Sequence, residues 1–115
     1  MSKVDVRVRQ GDDALLTFSL SRRRFKVKGP YPLTGVEEIE FIVKAGKETA
    51  DGDADALYSL TGGAVVVVDE TAGHLSVQLA GADMADAGKR WYKLRVIKDG
   101  KGETPAYGAL IVEDT

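Results

Sequence analysis

Few residues of this chain have the type and spacing that chemistry requires. The one histidine, His74, opens a stretch of strand periodicity on its polar phase, just after a turn. No serine in a recognisable nucleophile setting accompanies it and the chain has no cysteine, so neither a triad nor a thiolate centre has its parts. A zinc site of the common kind needs three or four His or Cys ligands, which one histidine does not supply. The DGDAD run (51–55) has the acidic spacing of a calcium loop only at its start. Position twelve counted from Asp51 is Gly62 rather than a glutamate, and the flanks lack helical periodicity. Glu37, Glu38 and Glu40 crowd one strand-like segment with no sign of a cleft, unlike a glycosidase carboxylate pair. Gly62-Gly63 and the DGKG turn (99–102) precede no helix, so neither is a phosphate-binding loop. These residues point to a protein that is not an enzyme and that carries no metal or cofactor.

The prominent feature is basic instead. Five of the seven residues from Arg22 to Lys28 are Lys or Arg, in a chain whose formal net charge is -2. Residues 1–29 carry eight basic and three acidic side chains (+5), residues 30–87 two and eleven (-9), and residues 88–115 six and four (+2). Such a split makes a dipolar particle whose copies attract one another. Phosphate binding requires only charge, but single-strand binders pair their charge with several stacking aromatics, and this stretch has only Phe25. No amphipathic helix accompanies the charges, which disfavours a membrane surface. Three readings stay open: a solvated hairpin, a contact with an acidic protein neighbour and, least favoured, a nucleic-acid contact. Arginine suits the second because its planar fork pairs carboxylates bidentately. The residues for such a contact are Arg22, Arg23, Arg24, Phe25, Lys26, Lys28 and Tyr31, with Trp91 as a further exposed aromatic.

The elements that would position these residues follow a period of two. Val4, Val6 and Val8 alternate with Asp5, Arg7 and Arg9, and Ala14, Leu16, Phe18 and Leu20 alternate with Leu15, Thr17 and Ser19. Ile39, Phe41 and Val43 face one way and Glu38, Glu40 and Lys44 the other, although Ile42 spoils that polar face. The Gly- and Asp-rich AGKETADGDADA (45–56) is expected to be a mobile loop leading into a short strand, LYSL (57–60). AVVVV (64–68) predicts a strand buried on both faces or a covered edge. DETAG (69–73) is a hairpin turn, and Leu75, Val77 and Leu79 then face inward. GADMADAG (81–88) holds the one helical turn, Tyr92, Leu94 and Val96 face inward with Trp91, Lys93 and Arg95 outward, and a turn at Asp99-Gly100 leads to the last strand. Seven or eight short antiparallel strands with turns every eight to twelve residues predict an all-β sandwich. At 115 residues it forms a single domain, 1–115, long enough to bury roughly two-thirds of its unfolded surface. No apolar run approaches the roughly 18 residues of a membrane span, and MSKVDVRVRQ lacks the apolar core of a signal peptide, so synthesis in the cytoplasm is expected.

DAGKRWYKL (86–94) adds an Asp-x-Gly turn before a strand with an early tyrosine. In immunoglobulin-like domains that tyrosine bonds back to the backbone of the corner, although Tyr92 lies further from Gly88 than the usual spacing. The order of the whole chain carries a wider likeness: Q-G-D-D (10–13), P-L-T-G-V (32–36) before an E-F-I-V-K strand, VVVVDETAGHLSVQLAGADM (65–84), a Gly-x-x-W-Y-x-L strand (88–94) and Y-G-A-L-I-V-E-D (107–114). This resembles the immunoglobulin-like N-terminal domain of phage baseplate upper proteins and similar small domains of tailed-phage structural proteins. The resemblance implies a non-enzymatic virion component of the tail or baseplate, made in the host cytoplasm. It would assemble in multiple copies with other virion proteins, as a homo-oligomer; the residues themselves argue against a membrane partner and disfavour nucleic acid. Unlike the baseplate protein, no helical stalk follows within this sequence, which leaves open a head decoration or head-fibre role. A carbohydrate-binding adhesion module, using Trp91, Tyr58 and Tyr107, is the alternative from another class.

Overall fold

The computed structural model describes residues 2–24, 27–46, 56–84 and 88–113, with the backbone alone for 2, 3, 21–24 and 27–30. Two β-sheets pack face to face. The larger contains β1 (Ser2–Lys3), β2 (Val6–Arg9), β6 (Glu38–Lys44), β7 (Ala56–Ser59), β10 (Gly88–Lys98) and β11 (Lys101–Glu113). Its order is β1-β11-β10-β6-β7, with β2 also on β11. The smaller has the order β3-β9-β8, from Ala14–Ser19, His74–Leu79 and Val65–Asp69. A separate hairpin joins β4 (Ser21–Arg24) to β5 (Val27–Pro30). The all-β sandwich expected from the sequence is the fold observed. Among the described residues the strands number eleven, because the first is broken in two and the basic stretch forms a hairpin of its own.

The alternation explains the core. Phe18, Leu75, Val77 and Leu79 of the small sheet meet Ile39, Phe41, Val43, Tyr92, Leu94 and Leu110 of the large one, all buried. Phe41 stacks on Tyr92 at 5.0 Å between ring centroids, and Phe18 tilts against both. The Asp99-Gly100 turn closes the β10–β11 hairpin with φ of 54° and 74°, the left-handed pair that two-residue hairpins require. Gly81–Met84 forms a single 3-10 turn at one end of the sandwich. The valine run departs from expectation. Val65 is buried, but Val66 and Val68 are 51% and 67% exposed, because β8 is an edge strand with one face in water.

The N-terminal segment departs as well. It pairs parallel to β11, Ser2 opposite Ala106 and Val6 opposite Leu110, and it breaks between the two at Val4-Asp5. Val4 therefore leaves the inward phase and is 43% exposed. Three bonds hold the break. The Val4 N–H donates to the Tyr107 carbonyl (2.8 Å), the Tyr92 hydroxyl donates to the Val4 carbonyl, and the Ala109 N–H donates to the Asp5 carboxylate (3.1 Å). A Cβ on Gly108 would come within 2.1 Å of the Val4 carbonyl oxygen, so the Y-G-A-L sequence needs its glycine for backbone-to-backbone approach. Tyr92 thus bonds to the first strand rather than to the corner before its own strand.

Burial, followed by the nearby Asp5 carboxylate, pushes the Tyr92 hydroxyl up to about 12. An unfolded tyrosine titrates near ~10. The raised value means that this contribution is complete below about pH 10 and is lost as pH rises through about 12. Tyr92→Phe is expected to lower stability by about 1–2 kcal/mol at neutral pH and to make the decline between about pH 10 and 12 shallower. Denaturant unfolding at a series of pH values measures both, and an unchanged alkaline slope would refute the assignment.

Candidate docking surfaces

The residues singled out for chemistry are occupied structurally. Glu38 accepts bonds from the Thr61 hydroxyl, the Thr61 N–H (3.1 Å) and the Ile39 N–H (3.0 Å). These bonds, the Thr61 hydroxyl foremost, hold its carboxyl below the usual carboxylate range. Glu37 accepts the Gly100 N–H at 3.0 Å. Both acids therefore clamp turns. His74 is exposed at the start of β9, opposite Ser19 and Asp69. Tyr58 is buried, donates its hydroxyl to Asp83 and accepts the Ala80 N–H, and burial with the Asp83 bond raises its pKa. That removes it from any exposed aromatic site. Among the described residues no three His, Cys, Asp or Glu side chains group as metal ligands. The DGDAD run lies outside the described residues.

The basic stretch does form a hairpin, with Ser21 opposite Pro30, Arg22 opposite Gly29, Arg23 opposite Lys28 and Arg24 opposite Val27. Phe25 and Lys26 lie outside the described residues. The foot of the hairpin is tightly set. The Leu20 N–H donates to the Gly73 carbonyl (2.9 Å), the Tyr31 N–H to the Leu20 carbonyl (3.0 Å) and the Leu33 N–H to the Glu70 carbonyl (2.7 Å). Leu33 is fully buried. The DETAG turn is therefore the bracket that aims the hairpin. The Tyr31 hydroxyl donates to Glu103 across the end of the sandwich, which makes Tyr31 part of the same bracket.

Trp91 belongs to a different surface, the outer face of the large sheet. Register assembles that face in rows. Leu57, Ile42, Lys93 and Tyr107 form one, Lys44, Trp91 and Ala109 the next, and Lys89, Ile111 and Arg7 the third. The Lys89 ammonium sits 4.6 Å from the centre of the Trp91 ring, within cation–π range. Lys44, Trp91, Lys93, Thr104 and Tyr107 line a shallow groove of about 270 Å³. Ile42, which broke the polar phase of its strand, is buried within this face. The three rows contain four basic residues and no acidic one. Asp5 lies at their edge, bonded to Ala109, and Glu40 faces Arg95 one row away. Trp91 and the hairpin are thus separate features. Ile42, Lys44, Lys89 and Lys93 were missed as site residues, although the outward phase of Lys93 and Trp91 was the available signal, and Tyr107 was singled out only for the carbohydrate alternative.

No family model matches the chain, and no curated protein matches it either.

Gly73 has φ +75°, and a Cβ there would lie 2.4 Å from the Tyr31 carbonyl oxygen and 2.9 Å from that of Leu20. Gly73→Ala is therefore expected to cost about 2–4 kcal/mol and to release the hairpin foot. Thermal unfolding together with amide exchange at Leu20 and Tyr31 measures it. An alanine variant of wild-type stability would show that the turn does not fix the hairpin.

Proposed function

We propose that this chain is a non-enzymatic structural module of a tailed-phage particle, which docks on neighbouring protein subunits through its basic surfaces. The observation that carries the docking reading is the Trp91–Tyr107 groove and its lysines, on a chain of net charge -2. Buried aromatics anchor protein interfaces, and a charged rim steers the encounter with a partner of opposite sign. The particle assignment rests on the sequence resemblance. The strand order supports its immunoglobulin-like part, because β11-β10-β6-β7 and β3-β9-β8 follow the same order as a G-F-C-C′ sheet and a B-E-D sheet. Several resemblance motifs fall where packing demands them: Gly73 ends the DETAG turn and Gly108 meets the first strand. A tail or baseplate position is the first reading, and head decoration follows if particles hold hundreds of copies. A second reading, a carbohydrate-binding module, is favoured by the meeting of Trp91 and Tyr107 in one groove. Binding on a glycan array that is lost in Trp91→Ala would select it.

Reversing Arg22, Arg23 and Arg24 to Glu is expected to leave the melting temperature unchanged and to reduce incorporation into particles. Trp91→Ala is expected to weaken docking by about tenfold or more. Co-sedimentation with particles, with copy number by mass spectrometry, measures both. Retention unaffected by either variant would sink the docking reading. Retention on DNA with a steep salt dependence would replace it with nucleic-acid contact.

A further inference from the structure

The small sheet has an open edge, and we infer that it pairs with the same edge of a second copy. Among the described residues β8 bonds only to β9. The Gln78 N–H donates to the Ala64 carbonyl at 2.9 Å, and Val65 lies opposite Val77. Antiparallel ladders alternate, so Ala64 and Val66 turn their backbone groups towards β9. Val65 and Val67 turn theirs to the open side. Their side chains face the core, while those of Val66 and Val68 face water.

Natural edges are guarded by lysine, proline, an inward charge or a break. The β1–β2 edge is broken at Val4-Asp5 and carries Lys3, Arg7 and Arg9. The β3 edge opens on a cleft that Thr17 and Phe18 share with Val4 and Pro105. β8 has neither lysine nor proline, and its single irregularity comes after Val67, at its end. It therefore presents donors, acceptors and β-branched side chains to any strand of matching character.

The strand of matching character is β8 itself. Its acidic residues, Asp69 and the following Glu70, lie at one end. A parallel pair would stack them against each other, whereas an antiparallel two-fold pair places them at opposite ends. Matching Val65 and Val67 of one copy with Val67 and Val65 of the other forms about four backbone hydrogen bonds. Val66 then lies directly opposite its own equivalent, and the two three-stranded sheets become one of six strands. The contact is small, so the dimer is weak in dilute solution and strengthened where copies are held together. This inference requires multiple copies but not the phage reading, and a particle-binding failure leaves it standing.

The protein lacks cysteine, which makes a direct test possible. In a non-hydrogen-bonded antiparallel pair the Cα atoms are about 4.5 Å apart, within disulfide range. Val66→Cys is expected to give mostly disulfide-linked dimer under glutathione oxidation. Leu15→Cys, 62% exposed on the opposite edge strand of the same sheet, is expected to remain largely monomeric. Sedimentation of the wild-type protein is expected to depend on concentration, and Val66→Lys to abolish that dependence with an unchanged melting temperature. Equal cross-linking of the two cysteine variants, a wild-type monomer up to about 1 mM, or a dimer that survives Val66→Lys would each overturn the pairing.

Discussion

The approach of Gly108 to the Val4 carbonyl determines how the sheets are divided. It allows the first strand to lie against β11, where the Tyr92 hydroxyl and the Asp5 carboxylate hold it. With β1 and β2 on the large sheet, β3 gains no partner on its far side, and the small sheet stops at three strands. At one edge of that sheet β3 lines a cleft shared with Val4 and Pro105, and β8 forms the other edge. A side chain at position 108 would push the first strand away and uncover the edge of β11.

Polar side chains that would be expected to do chemistry instead satisfy backbone groups. Asp13 accepts the Gly81 N–H at 2.6 Å, Glu38 and Glu37 hold turns, and Tyr58 links β7 to Asp83. Each of these bonds fixes a connection between strands, where backbone groups have no ladder partner. Among the described residues, the half-buried Trp91, Lys93 and Tyr107 of the outer sheet face and the edge strand β8 lie at the surface instead.

The period of two was sufficient for most strands and for the inward set around Phe41 and Tyr92, because a half-buried strand leaves no choice of phase. It failed where the backbone leaves the period. Val4 fits the phase of Val6 and Val8, yet the chain breaks beside it to meet β11. The AVVVV run lacks polar residues, so its pattern cannot distinguish a covered strand from an edge. The Trp91 face was only half legible. The outward phase of Trp91 and Lys93 is local, but their proximity to Ile42 and Tyr107 depends on register between strands far apart in sequence. Ile42 looked like an error in its strand and is instead the buried part of that face.

Register also changes the meaning of the charge split. The basic first segment and the mildly basic last segment are separated by the whole acidic middle of the chain. Parallel pairing of β2 with β11 brings them together, with Arg7 opposite Ile111 and Lys89 on the other side of that residue. A chain with a slight negative net charge thereby acquires a basic face made from its two ends. Lys44 is the contribution of the acidic middle, placed there because β6 runs beside β10. Like charges collected on one face repel, and the Lys89 ammonium over the Trp91 ring is one contact that offsets part of that cost. Part of that face, Arg7 on β2, is held in place by the junction of Tyr92, Val4 and Gly108. A weakened junction therefore loosens the Arg7 end of that face.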